Sequence, residues 1–111
     1  MSNVISGNYI GTDVSGTAPL GNYASGVVVG DGAQFNRIGG TTSAERNVIS
    51  GNEGYGIGIW KTGTMFNIII GNYIGTDANG TTSLGNHYSG VGIDDDPQYN
   101  RIGGTLSLIH I

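Results

Sequence analysis

Three adjacent carboxylates, Asp94, Asp95 and Asp96, separate the apolar Val91-Gly92-Ile93 from Pro97. Carboxylates this dense can hold Ca²⁺ through oxygen ligands, or act as an acid–base pair on a sugar. Successive strand residues point to opposite faces, so Asp94 and Asp96 are the two expected to share a side. Asp94, Asp96 and Arg101 are therefore the candidate catalytic residues, and Asp94, Asp95 and Asp96 the candidate metal ligands. The plainer reading is a solvated acidic turn stopped by Pro97.

A second candidate is Trp60 with its neighbour Lys61. Ile57 and Ile59 read as inward-facing, so alternation puts the Trp60 ring outside. An exposed indole beside an ammonium group can stack on a sugar ring, apolar face to apolar face. It can equally cover the turn above it. His87 lies near no Ser or Cys nucleophile signature and reads as a surface residue, as do Tyr23 and Tyr88 near turns.

What must position these residues is a repeat. Residues 3–41 return as 67–105, displaced by 64, with well over half of the paired positions identical. A fixed period of this kind means one structural unit stacked on its copies. Whatever the copies share serves winding, and whatever is unique to one copy is free to serve function. The Asp94–Asp96 run and the segment around Trp60 are unique. Asp13 and Asp77 of Gly-Thr-Asp recur, as do Arg37 and Arg101 of Asn-Arg-Ile-Gly, and so read as structure.

The apolar segments are short and rich in β-branched residues, such as Val27-Val28-Val29, Ile57-Gly58-Ile59-Trp60 and Ile68-Ile69-Ile70. Turn-forming residues lie between them. An interior glycine costs a helix about 1 kcal/mol, and this chain has 22. The pattern predicts an all-β, right-handed parallel β-helix. Ile5, Val27, Ile49, Ile69 and Val91, spaced 22, 22, 20 and 22 residues apart, are expected to form a single core column. That spacing sets about five windings of roughly 21 residues, three to each 64-residue block. Asn3, Asn47 and Asn67 open segments that Asn8, Asn52 and Asn72 close. Stacked in register, their amides can bond one another along the axis.

The wording GNYIGTD…LGN…SGV…NRIGGTT…RNVISGN resembles the repeat of bacterial right-handed parallel β-helix proteins in the broad pectin-lyase-like group. The resemblance covers nearly all of residues 3–105. It implies an exported or cell-surface solenoid segment, extracellular, commonly part of a much larger protein. Some members of the group bind or cleave polysaccharides; their signature His, Asn-Thr-Asp and Arg-Ile-Lys settings are not found in this chain. Residues 1–105 are thus read as a fragment of a longer solenoid. Residues 106–111, Leu-Ser-Leu-Ile-His-Ile, depart from the repeat and read as a non-native, adapter-derived tail.

Composition narrows the function classes. A net charge of −4 with four basic residues argues against a nucleic-acid partner. Cysteine is absent, which removes thiolate chemistry and disulfides. No apolar run reaches the roughly 20 residues needed to span a bilayer. The expectation is a non-enzymatic structural or adhesive segment with no cofactor beyond Ca²⁺ at the acidic run. The alternative is a fragment of a polysaccharide-binding or polysaccharide-degrading enzyme, and if an enzyme, a lyase or glycoside hydrolase. A polysaccharide or cell-surface ligand is the expected partner, and bare strand edges at either end predict end-to-end self-association.

Overall fold

Each short apolar run becomes a strand of two to four residues, paired through its backbone to the equivalent run one turn of the chain away. The structure, a computed structural model, describes residues 2–103; the tail assigned to residues 106–111 lies outside them. The strands are β1 (Val4–Ile5), β2 (Tyr9–Ile10), β3 (Val27–Val29), β4 (Arg37–Gly39), β5 (Val48–Ile49), β6 (Ile57–Trp60), β7 (Ile68–Ile70), β8 (Tyr73–Ile74), β9 (Val91–Asp94) and β10 (Arg101–Ile102). Among the described residues the one helical element is a 3-10 turn at Ser43–Glu45.

Three parallel sheets result. The first runs β1-β4-β7-β10, the second β2-β5-β8 and the third β3-β6-β9. The molecule is a β-solenoid of about three windings, each giving one strand to each sheet, with β10 repeating the first-sheet position. In the first sheet Ile5 stacks on Ile38, Ile69 and Ile102, at spacings of 33, 31 and 33 residues. In the second, Ile10 stacks on Ile49 and Ile74. In the third, Val27, Ile57 and Val91 form one column and Val29, Ile59 and Ile93 another.

The expected single column is therefore overturned, and with it the count of five windings. Ile5 and Ile69 lie in the first sheet, Ile49 in the second, Val27 and Val91 in the third. The 64-residue block is two windings of about 32, not three of about 21. The error has a physical origin. All three sheets send Ile and Val into one core, so an apolar residue in sequence does not declare its sheet. A step of 22 carries the chain from one sheet to another, short of a full turn.

The core is narrow and aliphatic. Ile38, Ile49, Ile57, Ile59, Ile69 and Ile74 are at most 2% exposed, and burying each contributes about 1.5–3 kcal/mol. Three asparagine ladders flank it, with the expected chemistry but different membership. Asn3, Asn36, Asn67 and Asn100 precede the first sheet, Asn8, Asn47 and Asn72 the second, and Asn22, Asn52 and Asn86 the third. In every step the Oδ1 of the later residue accepts both the backbone N–H and the Nδ2 of the earlier one. Asn36 to Asn67 spans 2.9 and 3.0 Å, Asn47 to Asn72 3.2 and 2.9 Å, and Asn52 to Asn86 3.0 and 2.9 Å. The Nδ2 also donates to backbone carbonyls one winding back, as Asn72 does to Ile38 at 3.0 Å. Buried amides are thereby satisfied, which is what makes their burial tolerable.

Alternate windings differ in where they bulge. The first and third carry long loops, 11–26 and 75–90, between the second and third sheets; the second carries its long loop, 40–47, between the first and second. In the second winding the corresponding corner is tight, and Gly51 N–H donates across to Leu84 O at 2.9 Å. The structural period is one winding while the sequence period is two. Sharp corners require glycine where a side chain has no room. Gly39 has φ +92° and a Cβ there would run into the carbonyl of Ile70.

Candidate binding face on the third sheet

Strand β6 alternates as its sequence dictates. Ile57 and Ile59 are fully buried, which turns Gly58 and Trp60 to the outer face, where Gly58 is covered and the indole, expected to be exposed, is half-buried. Gly58 is in register with Val28 and Gly92, and Trp60 with Asp94. The two glycines leave a shallow floor that aromatic rings fill. A Cβ on Gly58 would lie 2.9 Å from Cε2 and Cζ2 of Trp60, and one on Gly92 would lie 2.6 Å from Cδ1 of Tyr55. Each ring therefore occupies the space its glycine vacates.

More aromatics extend this shelf. The Tyr55 and Tyr88 ring centroids are 5.7 Å apart, and His87 meets Tyr88 edge-on at 5.2 Å. Tyr23, Ser25, Glu53, Tyr55, Trp60 and Tyr88 line a shallow groove of about 200 Å³. A second groove borders Trp60 with Val28, Asp31 and Lys61. Lys61 Nζ lies 3.4 Å from Asp31 Oδ1, and its backbone N–H donates to Asp94 O at 3.1 Å.

The candidates from sequence separate accordingly. Trp60, Lys61 and Asp94 meet on this face. Asp95 and Asp96 follow the end of β9 with φ of 66° and 65°, so strand alternation stops at Asp94 and does not place Asp96 beside it. Among the described residues no three His, Asp or Glu side chains are grouped to hold a metal ion. Arg101 stands on the first sheet, its Nε donating to Gly103 O at 3.2 Å, and borders a different surface with Phe66 and Tyr99.

Three features were not anticipated. Tyr55 and Asp31 join the shelf from turns, where alternation gives no direction. Gly58 carried a usable signal, a glycine flanked by two inward isoleucines and followed by Trp60. Phe35, Phe66 and Tyr99 form an exposed stack at 5.3 and 5.8 Å with planes within 13°, all three at φ near +60°. Their spacing matches that of Asn36, Asn67 and Asn100, which they precede, so the winding length would have revealed them. Left-handed backbone at bulky aromatics is strained, and stacking offsets part of it.

Compared with protein-family models, with curated proteins and with solved structures, the chain matches none of them.

Proposed function

We propose that this chain is a non-enzymatic structural and adhesive β-solenoid segment of an exported bacterial protein, working at the cell surface or outside the cell. One observation carries the reading: among the described residues the buried polar side chains, Arg46 Nε excepted, are engaged in holding the backbone and its windings together. Asn47, Asn52, Asn67 and Asn72 form ladder steps, Ser50 Oγ donates to Thr76 O at 2.6 Å, and Thr64 Oγ1 accepts from Gly32 N at 3.0 Å while donating to Trp60 O at 2.7 Å. Such a solenoid presents its outer faces to a ligand without depending on one for its fold.

The second reading is a polysaccharide-binding or polysaccharide-degrading segment of the pectin-lyase-like kind, favoured by the placement of Trp60 beside Asp94 on neighbouring strands. Displaying residues 1–105 on a non-adherent bacterial cell and measuring retention on polysaccharide-coated surfaces tests both. Retention without release of soluble sugar supports the adhesive role. Sugar release that disappears in Asp94→Ala/Asp96→Ala would establish the enzyme instead.

A further inference from the structure

We propose that the shelf formed by Tyr55 and Trp60 binds an uncharged polysaccharide chain; this rests on the polysaccharide reading above and names the ligand class. The apolar C–H faces of a pyranose stack on aromatic rings while its hydroxyls need polar partners at the edge. Here the partners at the edge are carboxylates. Glu53 lines the Tyr55 groove, Asp31 the groove on the other side of Trp60, and Asp94 stands in register with Trp60 itself. All three are exposed. The nearby cation, Lys61, is already paired with Asp31.

This charge arrangement discriminates between ligands. Sugar hydroxyls donating to ionised carboxylates form charge-assisted hydrogen bonds, stronger than neutral ones. A uronate or sulfated residue placed over Trp60 brings its own anion toward Glu53 and Asp94, while the one nearby cation, Lys61, is shared with Asp31, which opposes binding. The rings are also held before the ligand arrives, since Gly58 and Gly92 seat Trp60 and Tyr55 against the sheet. Preorganised contacts lose less conformational freedom on binding. Because grooves meet Trp60 from two sides, the fit is to a chain crossing the indole.

Trp60 is the sole tryptophan of the protein, so its fluorescence reports on the shelf directly. The probes are cellohexaose, xylohexaose and mannohexaose against hexagalacturonate. A saturable emission change is expected with at least one neutral probe, and binding about tenfold or more weaker with hexagalacturonate. By calorimetry, Trp60→Ala should weaken the neutral probe about tenfold or more, and Trp60→Phe should restore part of it. Gly58→Val, with an unchanged far-ultraviolet circular dichroism spectrum, should displace the indole and weaken binding likewise. Asp31→Asn/Glu53→Gln/Asp94→Asn should narrow the gap between neutral and acidic probes. If hexagalacturonate binds through Trp60 as well as or better than every neutral probe, the neutral assignment falls while the polysaccharide reading stands. If no probe of either class changes the emission or gives heat, both fall.

Discussion

The backbone N–H of Ala78 donates to the carbonyl oxygen of Gly16 at 2.9 Å, tying together two loops that belong to windings two apart. The loop 11–26 reaches past the tight corner of the second winding to meet its counterpart 75–90. In the second winding this corner is closed by the short connection 50–56, so the two long loops meet over it. Bulges thus alternate, and the sequence repeats every second winding in step with them.

The packing of loop 75–90 against its own winding is tight enough to test with glycine. Gly80 has φ +72°, and a Cβ there would lie 2.8 Å from Cε2 of Tyr73. Gly80→Val should lower stability by roughly 2–3 kcal/mol, through left-handed strain and the displaced ring. Gly85→Ala is the control, since no atom lies within 4 Å of its added Cβ. Its urea midpoint should stay near that of the wild type, with a shift of roughly 0.5 kcal/mol at most.

The asparagine ladders should be worth most at the centre of the stack. Asn47 is fully buried; its Oδ1 accepts from Asn8, and its Nδ2 donates to Ile5 O and Asn72 Oδ1 at 2.9 Å. Asn47→Ala leaves several of these groups unsatisfied and should cost about 3 kcal/mol in urea unfolding. Asn3→Ala, at the exposed start of the first ladder, should cost roughly 1 kcal/mol or less. Equal losses at the two positions would show that burial adds nothing to these bonds.

Acid should loosen the protruding loops before the core. In Asp77 the N–H of Thr81, and then those of Thr82 and Asn79, hold the carboxyl below its ordinary value of 3.8, against the opposing effect of burial. In Asp13 the Ser15 hydroxyl and the Thr17 N–H act in the same direction. In Glu45 the Thr42 hydroxyl and N–H lead, with Arg37 assisting, and its ordinary value is 4.5. A depressed carboxyl lends stability that is complete above the unfolded-state value and is lost as pH falls through the folded one. Stability should thus be flat from pH 7 to about 5 and decline below about 4. Asp77→Asn should reduce that slope, and an unchanged slope in this variant would remove the loop from the acid response.

The sheet edges make a prediction about assembly. Among the described residues, strands β1 and β10 each pair on one side in the first sheet and β9 on one side in the third; Val4 of β1 and Ile93 of β9 are 56% and 59% exposed. Unpaired strand edges beside apolar side chains template pairing with another chain. Light scattering of the 111-residue chain should rise with concentration, and Val4→Lys should suppress the rise. A monodisperse monomer at high concentration would discard end-to-end association.

Much of the architecture was legible from particular residues. Ile57-Gly58-Ile59-Trp60 announced a strand with two side chains in and an indole out, and the asparagines announced axial amide stacking. Local sterics and burial decide both, so no distant residue need be known. Membership was another matter. Nothing local distinguishes Asn47 paired with Asn8 from Asn47 paired with Asn3, because each ladder uses the same amide and the same geometry. The candidate site divided along the same line: Trp60 and Lys61 were visible as neighbours in sequence, whereas Asp31, Asp94 and Tyr55 join them only because the windings stack.

The chain by itself determined that it winds, that it winds as β-structure and that its core is isoleucine and valine, since repetition, alternation and β-branching act over a few residues each. Tertiary structure alone decided how long a winding is and which strand lies over which. That choice depends on backbone pairing between residues about 32 apart, with the long loops alternating at one corner. With it came the shelf where Gly58 seats Trp60 and Asp94 stands alongside, a juxtaposition created by the register of β6 against β9.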